Sequence, residues 1–414
     1  MPAAQGMASA ATAALLGEPE PGRSPESFAV LFMNLSVVSV AALAFGSAAF
    51  AAQVYVVTDL GTLAGTHGSV PVNLNDRGDV VGYCTMNPAN MNEVGFVWRN
   101  GVMTGTGKLT RGNYSSATAI SDTGLVAGDA DTGNFRPQGW ASVNGRPVNF
   151  FSNNGGNTHV LSINNAGVIG GFYTKSLGGW TSSWKGALWV PDTRKPGKYN
   201  IIDLPVLPGS NPKDKATASF PLAFNRSTQA VGYVSDSRFG QHACFWDNNA
   251  ARTIVDLGTF SDADGSSVAN GINDLGQAVG TSHPAFGSRA ILWDNDAGHT
   301  AYELPLLPGD NYGSAHAINN AGTILGSSTY GTPGTWDLQP YVPVVWIDGE
   351  PRTLESIVDA TSAAGWEFSS AIAINNAGQI VGTGLHDGAM RAFLLTPVST
   401  DAAATTTTGS ALVR

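Results

Sequence analysis

Small and apolar residues alternate along short stretches of this chain, and each stretch ends in the same turn. The clearest copies are residues 317–326 (AINNAGTILG) and 373–382 (AINNAGQIVG). Asn followed three residues later by Gly is typical of a tight turn, because Asn tolerates a left-handed backbone and Gly adopts positive φ without steric cost. A β-branched run follows the turn, so the two runs predict a β-hairpin.

This unit recurs seven times, at intervals close to the length of a propeller blade. We place its second glycine at Gly82, Gly128, Gly170, Gly232, Gly280, Gly326 and Gly382. The intervals match the roughly 40–50 residues of a four-stranded blade, with two expanded units. A third run in most units ends in Trp, at Trp98, Trp189, Trp246, Trp293 and Trp346. A fourth run carries Asp-Leu or a relative, as at 203–204, 256–257 and 353–355, so each unit predicts four antiparallel strands.

The two ends of the repeat array predict a closed ring. The last unit stops after its third run, at residues 392–395, whereas a spare fourth run at residues 54–63 precedes the first unit. An N-terminal strand that completes the last blade accounts for both ends and leaves no exposed sheet edge at the junction. The sequence therefore predicts an all-β fold, a seven-bladed β-propeller of four-stranded antiparallel blades.

Two units depart from the pattern at the turn. The second has Ser121 where Asn is usual, and the fourth has Thr228 where Gly is usual. Because positive φ is costly for a β-branched residue, we expect a different turn in the fourth unit.

The repeated segments resemble a known family. The Ile-Asn-x-x-Gly turn, the strand that ends in Trp and the Asp-Leu-Gly-Thr-Leu/Phe segments at 59–63 and 256–260 are similar to the HAF-family bacterial extracellular repeat. The resemblance covers roughly residues 54–395. It implies secretion and a repeat fold, and it implies no particular activity or catalytic residue.

The first 52 residues lie outside the repeat and predict a secretion signal. Residues 28–52 are apolar and small and end in Ala-Phe-Ala-Ala, which is similar to an A-x-A cleavage site. We expect an extracellular or periplasmic protein without membrane contact after cleavage. A retained membrane anchor stays open because the run is long enough to span a bilayer, and Met33 stays open as the true start. The propeller is predicted over 53–396 and a disordered Thr/Ala-rich tail over 397–414.

Charge and cysteine usage narrow the choice of partners. The formal net charge is −10, and the densest basic run is Arg194-Lys195-x-x-Lys198, so we expect no nucleic-acid partner. Cys84 and Cys244 fall in blades far apart around the ring, beyond bridging distance, and are predicted to be separate thiols with Cys244 buried. We expect a monomer.

We identify no catalytic residue, cofactor or metal site in the sequence. Asp262 and Asp264 are similar to part of a calcium loop, but other units carry a generic blade-to-blade loop there and a bidentate Glu is missing, so calcium binding stays open. His67, His159 and His316 precede the turn in three units, which are too few for a metal ring around the channel. The recurrent Asp59, Asp203 and Asp256 are expected to hold backbone N–H groups or neighbouring blades, and the Trp residues to pack between blades.

The loops in which the units differ give the candidate ligand-binding residues. Two loops between the second and third strands are long and rich in aromatic residues among Gly, Ser and Thr, a composition that suits sugar or peptide binding. The candidates are Tyr173, Trp180 and Trp184 in the third unit and Tyr330, Trp336 and Tyr341 in the sixth. The alternative is that these rings fold back onto their own loops.

The sequence is most consistent with a secreted, non-enzymatic binding module whose ligand is an extracellular carbohydrate or protein. An alternative is a carbohydrate-active hydrolase or lyase on the same scaffold, which requires two carboxylates, or a carboxylate and a His, that converge on one face. Candidate carboxylates for that chemistry are Glu93, Asp129, Asp236 and Asp387. A purely structural surface protein is a third possibility.

Overall fold

The computed structural model describes residues 54–398 except 87–92, 110, 134–136, 144–145, 151–155, 179–180, 196, 212–216, 238–239, 261–264, 285–286 and 333–338. These residues form seven four-stranded antiparallel sheets, which confirms the predicted propeller. The predicted leader, the tail, Asp262 and Asp264 lie outside the described residues. Within the described residues, no helix has the length and apolar composition needed to cross a membrane.

The blades follow one another in chain order, each with its first strand innermost. Blade 1 contains β2 (Gly68–Leu74), β3 (Val80–Thr85), β4 (Glu93–Arg99) and β5 (Val102–Gly105). Blade 2 contains β6 (Ser115–Ile120), β7 (Val126–Ala130), β8 (Gln138–Val143) and β9 (Arg146–Asn149). Blade 3 contains β10 (Thr158–Ile163), β11 (Ile169–Gly178), β12 (Thr181–Pro191) and β13 (Tyr199–Asp203). Blade 4 contains β14 (Ala218–Phe224), β15 (Ala230–Asp236), β16 (Gly240–Trp246) and β17 (Ile254–Gly258).

The last three blades complete the circle. Blade 5 contains β18 (Ser266–Ile272), β19 (Ala278–His283), β20 (Arg289–Trp293) and β21 (Ala301–Glu303). Blade 6 contains β22 (Tyr312–Ile318), β23 (Ile324–Thr329), β24 (Val342–Ile347) and β25 (Glu350–Thr353), followed by the helix α1 (Leu354–Ile357). Blade 7 contains β26 (Trp366–Ile374), β27 (Ile380–His386), β28 (Ala389–Val398) and the N-terminal β1 (Val54–Asp59).

The ring closes as the two chain ends predict. Strand β1 pairs antiparallel with β28 in continuous register, from Val54 opposite Val398 to Asp59 opposite Phe393. Tyr55 of β1 is fully buried in the core of the last blade. The first and last strands therefore hold each other, and the junction leaves no unpaired sheet edge between them.

Helix α1 corrects the prediction for the sixth unit. We expected residues 353–355 to form its fourth strand, but β25 ends at Thr353 and the chain turns into a short helix there. Thr353 caps the helix by accepting the Ser356 N–H. Leu354 and Ile357 pack against Tyr55, so the helix fills the space beneath the closing strand and accounts for the long interval before the seventh unit.

A β-bulge in every inner strand explains the second glycine of the repeat. Between β22 and β23 the register shifts at His316, which leaves this residue unpaired and turns it toward the axis. The same shift brings the Ser314 carbonyl so close that a Cβ on Gly326 would lie 2.0 Å from its oxygen. In blade 3 the equivalent residue is Gly171, where an added Cβ would lie 2.0 Å from the His159 carbonyl oxygen, and not the predicted Gly170.

The turn asparagine fastens neighbouring blades in addition to shaping its own turn. Asn319 Oδ1 accepts the N–H groups of Ala321 and Thr323, while Nδ2 donates to the Asn375 carbonyl of the next blade at 3.1 Å. Equivalent inter-blade bonds run from Asn75 to Ser121, from Asn225 to Asn273, from Asn273 to Asn319 and from Asn375 to Asn75. A buried amide that satisfies three backbone groups leaves little freedom in how adjacent blades dock.

The recurrent tryptophans and thiols occupy the predicted environments. The five tryptophans that end the third strands are all buried. Trp246 Nε1 donates to the Pro205 carbonyl at 2.8 Å, and Trp346 Nε1 donates to the Pro305 carbonyl at 2.6 Å, so each is bonded to the preceding blade. Cys84 and Cys244 are separate free thiols and Cys244 is buried, as expected, and Cys84 is buried as well.

The recurrent aspartates divide into two groups. Asp59 and Asp256 accept the N–H groups of Gly61 and Gly258, as predicted. Asp203 instead accepts hydrogen bonds from Tyr173 and Lys175 of its own blade. The reason is local, because residue 205 is a proline and offers no N–H group.

The fourth turn corrects a prediction. Thr228 adopts φ = 66° and its N–H donates to the Asn225 carbonyl at 3.0 Å, which is the same turn that glycine forms in the other blades. The Asn225 side chain is held by the next blade at the Asn273 carbonyl, so tertiary bonds impose the conformation that the residue disfavours. Arg252 also donates to the Thr228 carbonyl and hydroxyl.

Replacement of Thr228 by Gly is expected to stabilise the protein by about 1 kcal/mol, because it removes the cost of positive φ at a β-branched residue. Urea unfolding followed by tryptophan fluorescence measures the change. The matched control is Gly322→Thr at the equivalent position of blade 6, where a Cβ would meet nothing within 4 Å. That control should lose about 1–2 kcal/mol from backbone strain alone. A neutral or destabilising T228G would show that the turn of blade 4 carries no strain.

Candidate functional site at the central channel

The inner strands surround a cavity of about 510 Å³ on the propeller axis. At one end it is lined by the Asn-containing turns, and further along by Asp129, His159 and Phe172. The wall between carries the bulged residues, one from each blade: Val72, Thr118, Leu161, Leu222, Asn270, His316 and Ile372. The residue that the repeat turns into the channel is therefore the one that differs between blades.

An arginine crosses the channel at the end formed by the Asn turns. The Arg226 guanidinium of blade 4 pairs with Asp76 of blade 1, with Asp122 of blade 2 at 3.1 Å and with Asp274 of blade 5 at 3.5 Å. Since these acids come from opposite sides of the ring, the guanidinium lies across the axis and obstructs this end. Ligand access is left to the opposite end, the face formed by the loops between second and third strands, which we call the loop face.

The same acids belong to a relay of backbone bonds between blades. Asp76 Oδ1 accepts the N–H of Asn376, Asn376 Oδ1 accepts that of Asn320, and the relay continues through Asp274 to Arg226. Burial would raise the pKa of Asp76, but hydrogen bonds from Asn376 and Arg226 outweigh burial and hold this pKa below its usual value. The Asp76 carboxylate is thus charged and fixed in position.

A carboxylate–imidazole pair lies in the wall nearer the loop face. Asp129 Oδ2 is 3.2 Å from His159 Nδ1, and Asp129 Oδ1 accepts the Val160 N–H at 2.8 Å. The second bond fixes the carboxylate, which in turn orients the imidazole. Burial raises the pKa of Asp129 despite the neighbouring His159. No described side chain forms a hydrogen bond with His159 Nε2, so this atom can meet a ligand in the channel.

An aromatic strip begins at His159 and continues into the next blade. His159 lies 5.0 Å from Phe172 and 5.6 Å from Trp184 between ring centroids. Phe172 contacts Phe220 of blade 4 at 5.4 Å, and Phe220 stacks on Tyr233 at 4.9 Å. All five side chains are half-buried, so the strip presents ring surface beside the channel.

The opposite side of the channel is lined by the bulged residues Asn270, His316 and Ile372 of blades 5–7. Asn270 Nδ2 donates to the Ala315 carbonyl at 2.9 Å, which fixes the amide in the wall. The channel is therefore asymmetric, with an acidic and aromatic half on blades 2–4 and an amide and an imidazole on blades 5 and 6.

His316 adds a second imidazole to the channel wall. Its ring is open to channel water, but the surrounding protein limits its solvation and lowers its pKa below the usual value. His316 is therefore neutral at pH 7 and can donate or accept a hydrogen bond. His67, the third histidine considered from the sequence, is absent from the described lining.

The predicted ligand-binding residues are distributed between two blades on the loop face. Trp184 belongs to the aromatic strip, whereas Tyr173 is buried against Trp189 with its hydroxyl donated to Asp203 at 2.9 Å. Tyr330 and Tyr341 are about half exposed, at 47% and 52%. Trp180 and Trp336 lie outside the described residues. A ligand role for all six stays a prediction.

The four candidate carboxylates of the enzymatic alternative do not form one group. Asp129 lines the channel, and Glu93 is half-buried near Tyr114. Burial, followed by the charges of Asp129, Asp131 and Glu93, raises the pKa of Tyr114. Asp236 is buried in blade 4, and Asp387 is exposed in a turn of blade 7. The pair that the structure brings together is thus Asp129 with His159.

Sequence reasoning missed Phe172, Phe220 and Tyr233 as members of the aromatic strip, and a positional signal could have found two of them. Phe172 and Tyr233 directly follow the second glycine of their units, as Asp129 does. The second glycine lies against the bulge. The residue that follows it lies beside the channel in two blades, at Asp129 and Phe172. The position is visible in an alignment of the seven repeats once the bulge is known.

Comparison with known proteins finds distant structural similarity and assigns no function. No family profile and no curated protein matches the chain, so the resemblance to the HAF repeat stays a prediction. The β-propeller domain of the Trilobed protease from Pyrococcus furiosus is similar at 12% identity over 80% of this chain and 94% of that chain, with a TM-score of 0.47. A Pyrococcus horikoshii acylaminoacyl peptidase has 12% identity over 79% of this chain, which spans about half (53%) of that one, with a TM-score of 0.43. A Xanthomonas campestris gluconolactonase has 12% identity over 85% and 93%, with a TM-score of 0.35.

Replacement of Arg226 by Met is expected to destabilise the protein by about 1–2 kcal/mol at pH 7, because it leaves Asp76, Asp122 and Asp274 without their shared cation. The folded-state pKa of Asp76 lies below its unfolded value, so the stabilisation is present above roughly pH 4 and is lost as the pH falls further. Urea unfolding at pH 7 and pH 3 measures both values. Arg77→Met is the control, since Arg77 pairs with Asp79 outside the channel. A loss of unfolding free energy in R226M that is the same at pH 7 and at pH 3 would contradict the ion-pair account.

Proposed function

We propose that this chain is a secreted binding module that holds an extracellular carbohydrate at the loop-face end of its channel. The observation that carries the proposal is the aromatic strip from His159 through Phe172 and Trp184 to Phe220 and Tyr233, which adjoins the one cavity described on the axis. Flat aromatic rings stack on the apolar faces of sugars, so a strip of such rings beside a cavity suits a carbohydrate ligand.

The polar half of the channel supports the same ligand class. Sugar hydroxyls need donors and acceptors at fixed positions, and Asn270 and His316 bring an amide and an imidazole to the wall across from the rings. An aromatic wall with facing polar side chains therefore fits a glycan chain that enters from the loop face and stops short of Arg226.

The loop face carries several exposed apolar residues. Met86, Phe260, Tyr330 and Tyr341 are each at least 40% exposed and lie in its loops, and Met390 lies next to the turn between β27 and β28, whereas the Asn-turn face carries Leu275 and, beside a turn, Val102. A polymeric ligand that leaves the channel can contact these residues. A protein ligand would use the same rim, and it is the other outcome of the binding experiment.

Trp184→Ala is expected to weaken glycan binding at least tenfold, which corresponds to about 1.4 kcal/mol of lost stacking. The purified chain is first screened on an array of bacterial and plant glycans, and the best binder is then titrated by calorimetry. Trp184→Phe should retain part of the affinity. Tyr302→Ala is the control, because Tyr302 is 51% exposed on an outer strand remote from the channel.

Three outcomes of that titration are informative. Equal losses for W184A and Y302A would place the ligand elsewhere. An empty array combined with capture of a defined cell-surface protein would replace the carbohydrate by a protein ligand. A melting temperature of W184A that matches the wild type excludes unfolding as the cause of a lost signal.

The Asp129–His159 pair favours a second candidate function, a hydrolase or lyase acting on the same glycan. In a hydrolase, His159 Nε2 would accept a proton from water as the water oxygen bonds to the anomeric carbon and the glycosidic C–O bond breaks; the imidazolium, stabilised by Asp129, would then return that proton to the departing sugar oxygen. In a lyase, the same nitrogen would take a proton from a sugar carbon, the electron pair of that C–H bond would form a C=C bond as the neighbouring C–O bond breaks, and the imidazolium would protonate the departing oxygen.

Asp129→Asn separates this enzymatic reading from binding alone. The amide oxygen of Asn can still accept the Val160 N–H, so affinity should change by less than about threefold while turnover falls by a factor of about 100 or more. Reducing-end release and absorbance of unsaturated products measure turnover. The control is Asp387→Asn, whose carboxylate is 85% exposed. Tight binding of the array ligand by the wild type without any product would exclude the enzyme.

A further inference from the structure

A second polar site lies in blade 3, on the side that faces blade 2 and away from the aromatic strip. Thr158, Tyr173 and Lys185 occupy one rung across β10, β11 and β12, with Thr158 opposite Tyr173 and Tyr173 opposite Lys185. Their side chains share one face of the sheet, because directly opposed residues of antiparallel strands point the same way. A Cβ on Gly139 of blade 2 would lie 3.2 Å from Thr158 Cγ2, which places this face at the blade interface.

Two groups of this rung lack a protein partner. Thr158 is fully buried, and its Oγ1 forms no hydrogen bond. Lys185 is 8% exposed; among the described residues no carboxylate forms an ion pair with its ammonium, and solvent still reaches Nζ. A buried hydroxyl without a partner on the same rung as an unpaired ammonium is an arrangement that an anion can complete.

The nearby acid cannot serve as that partner because it is already engaged. Asp203 accepts hydrogen bonds from Lys175 Nζ at 2.5 Å and from Tyr173 Oη at 2.9 Å. Two ammonium groups therefore share one carboxylate, which leaves this corner with a net charge of +1 in a chain whose formal net charge is −10.

The electrostatics of Lys185 agree with a site built for an anion. Burial, aided by the charge of Lys175, lowers the pKa of Lys185, while Asp203 opposes this effect. Lys175, Asp203 and Tyr173 are the titratable groups described around it. An anion beside the ammonium would replace the solvation that burial removes.

We propose that the Thr158–Tyr173–Lys185 rung binds an oxyanion, that is, a carboxylate, sulfate or phosphate group. The Lys185 ammonium supplies the charge and Thr158 Oγ1 a hydrogen-bond donor. Adjacent strands lie about 4.8 Å apart, so the backbones of Thr158 and Lys185 are separated by roughly 10 Å, with Tyr173 on the strand between them. The source is either a small free anion or the acidic group of a charged sugar, and the site is independent of the channel.

Lysine-selective NMR of the full chain tests the site directly. The signal of Lys185 is assigned by its loss in Lys185→Arg, and sodium sulfate, phosphate and glucuronate are each titrated at constant ionic strength with chloride. We expect a saturable shift of Lys185 alone, with Lys108 unchanged because its ammonium is exposed and bonded to the Asn113 carbonyl. Since the anion favours the charged lysine, affinity should fall as the pH rises through the lowered pKa of Lys185.

Thr158→Val provides the variant that separates binding from folding. Because Thr158 Oγ1 has no partner in the free protein, the isosteric valine should leave the melting temperature unchanged or raise it. The same change should weaken anion binding about fivefold, the equivalent of one hydrogen bond of about 1 kcal/mol. Lys185→Met should abolish binding and also stabilise the free protein.

The titrations distinguish an acidic sugar, a small free anion and the absence of a site. Saturation by glucuronate but not by sulfate or phosphate identifies an acidic sugar as the ligand, and the reverse identifies a small free anion. Shifts that affect all lysines without saturation, or wild-type anion affinity in T158V together with K185M, would overturn the site. A K185M variant less stable than the wild type would show that Lys185 already has its counter-charge, which also overturns it.

Discussion

The side-chain amide of the turn asparagine is the interaction on which the rest of the structure depends. One residue such as Asn319 accepts two N–H groups of its own turn and donates to the carbonyl of the next blade. Each bond contributes only about 1 kcal/mol net, but the bond between blades is buried and equivalent bonds recur at four other blade junctions. The same side-chain amide thus sets the local turn through Oδ1 and the docking of the next blade through Nδ2. A rotation of one blade against the next would therefore disturb the hydrogen bonds of the turn.

This fastening determines what the inner strand can present to the axis. With the turn fixed, the bulge and the second glycine bring the inner strand so close to its neighbour that no Cβ fits at Gly326 or its equivalents. One residue per blade is then free of the ladder and faces the channel. The repeated residues build a constant wall, and chemical variety is confined to the bulged position and to the residue that follows the glycine. Asp129 and Phe172 occupy that second position.

The ring and its closure could be predicted from the sequence because they depend on features that recur or are missing at a fixed place. The turn at Thr228 could not, since a local cost of roughly 1–2 kcal/mol is outweighed by bonds from blade 5 that no local pattern reveals. The channel site was missed for a related reason: a single repeat shows no bulge. Arg226 is visible as an exception in its turn, but only the circular arrangement brings Asp76 and Asp274 to it.

The exceptions to the repeat fall on the blades that carry the acidic and aromatic half of the channel. Ser121 has no amide group and cannot donate to the next blade as Asn319 does, and the Arg226 side chain has no acceptor for an N–H from the blade before it. Between blades 2 and 3 the relay is shifted by one residue, because Asn165 Oδ1 accepts the Thr123 N–H at 3.2 Å and Asn165 Nδ2 donates to Asp122 Oδ2 at 3.3 Å. Arg226 binds acids across the axis instead of accepting a bond along the ring. Blade 3 is also where His159, Phe172, Trp184 and the Lys185 rung are found. The departures from the repeat at both borders of blade 3 thus coincide with the longest strand described, β12 with 11 residues.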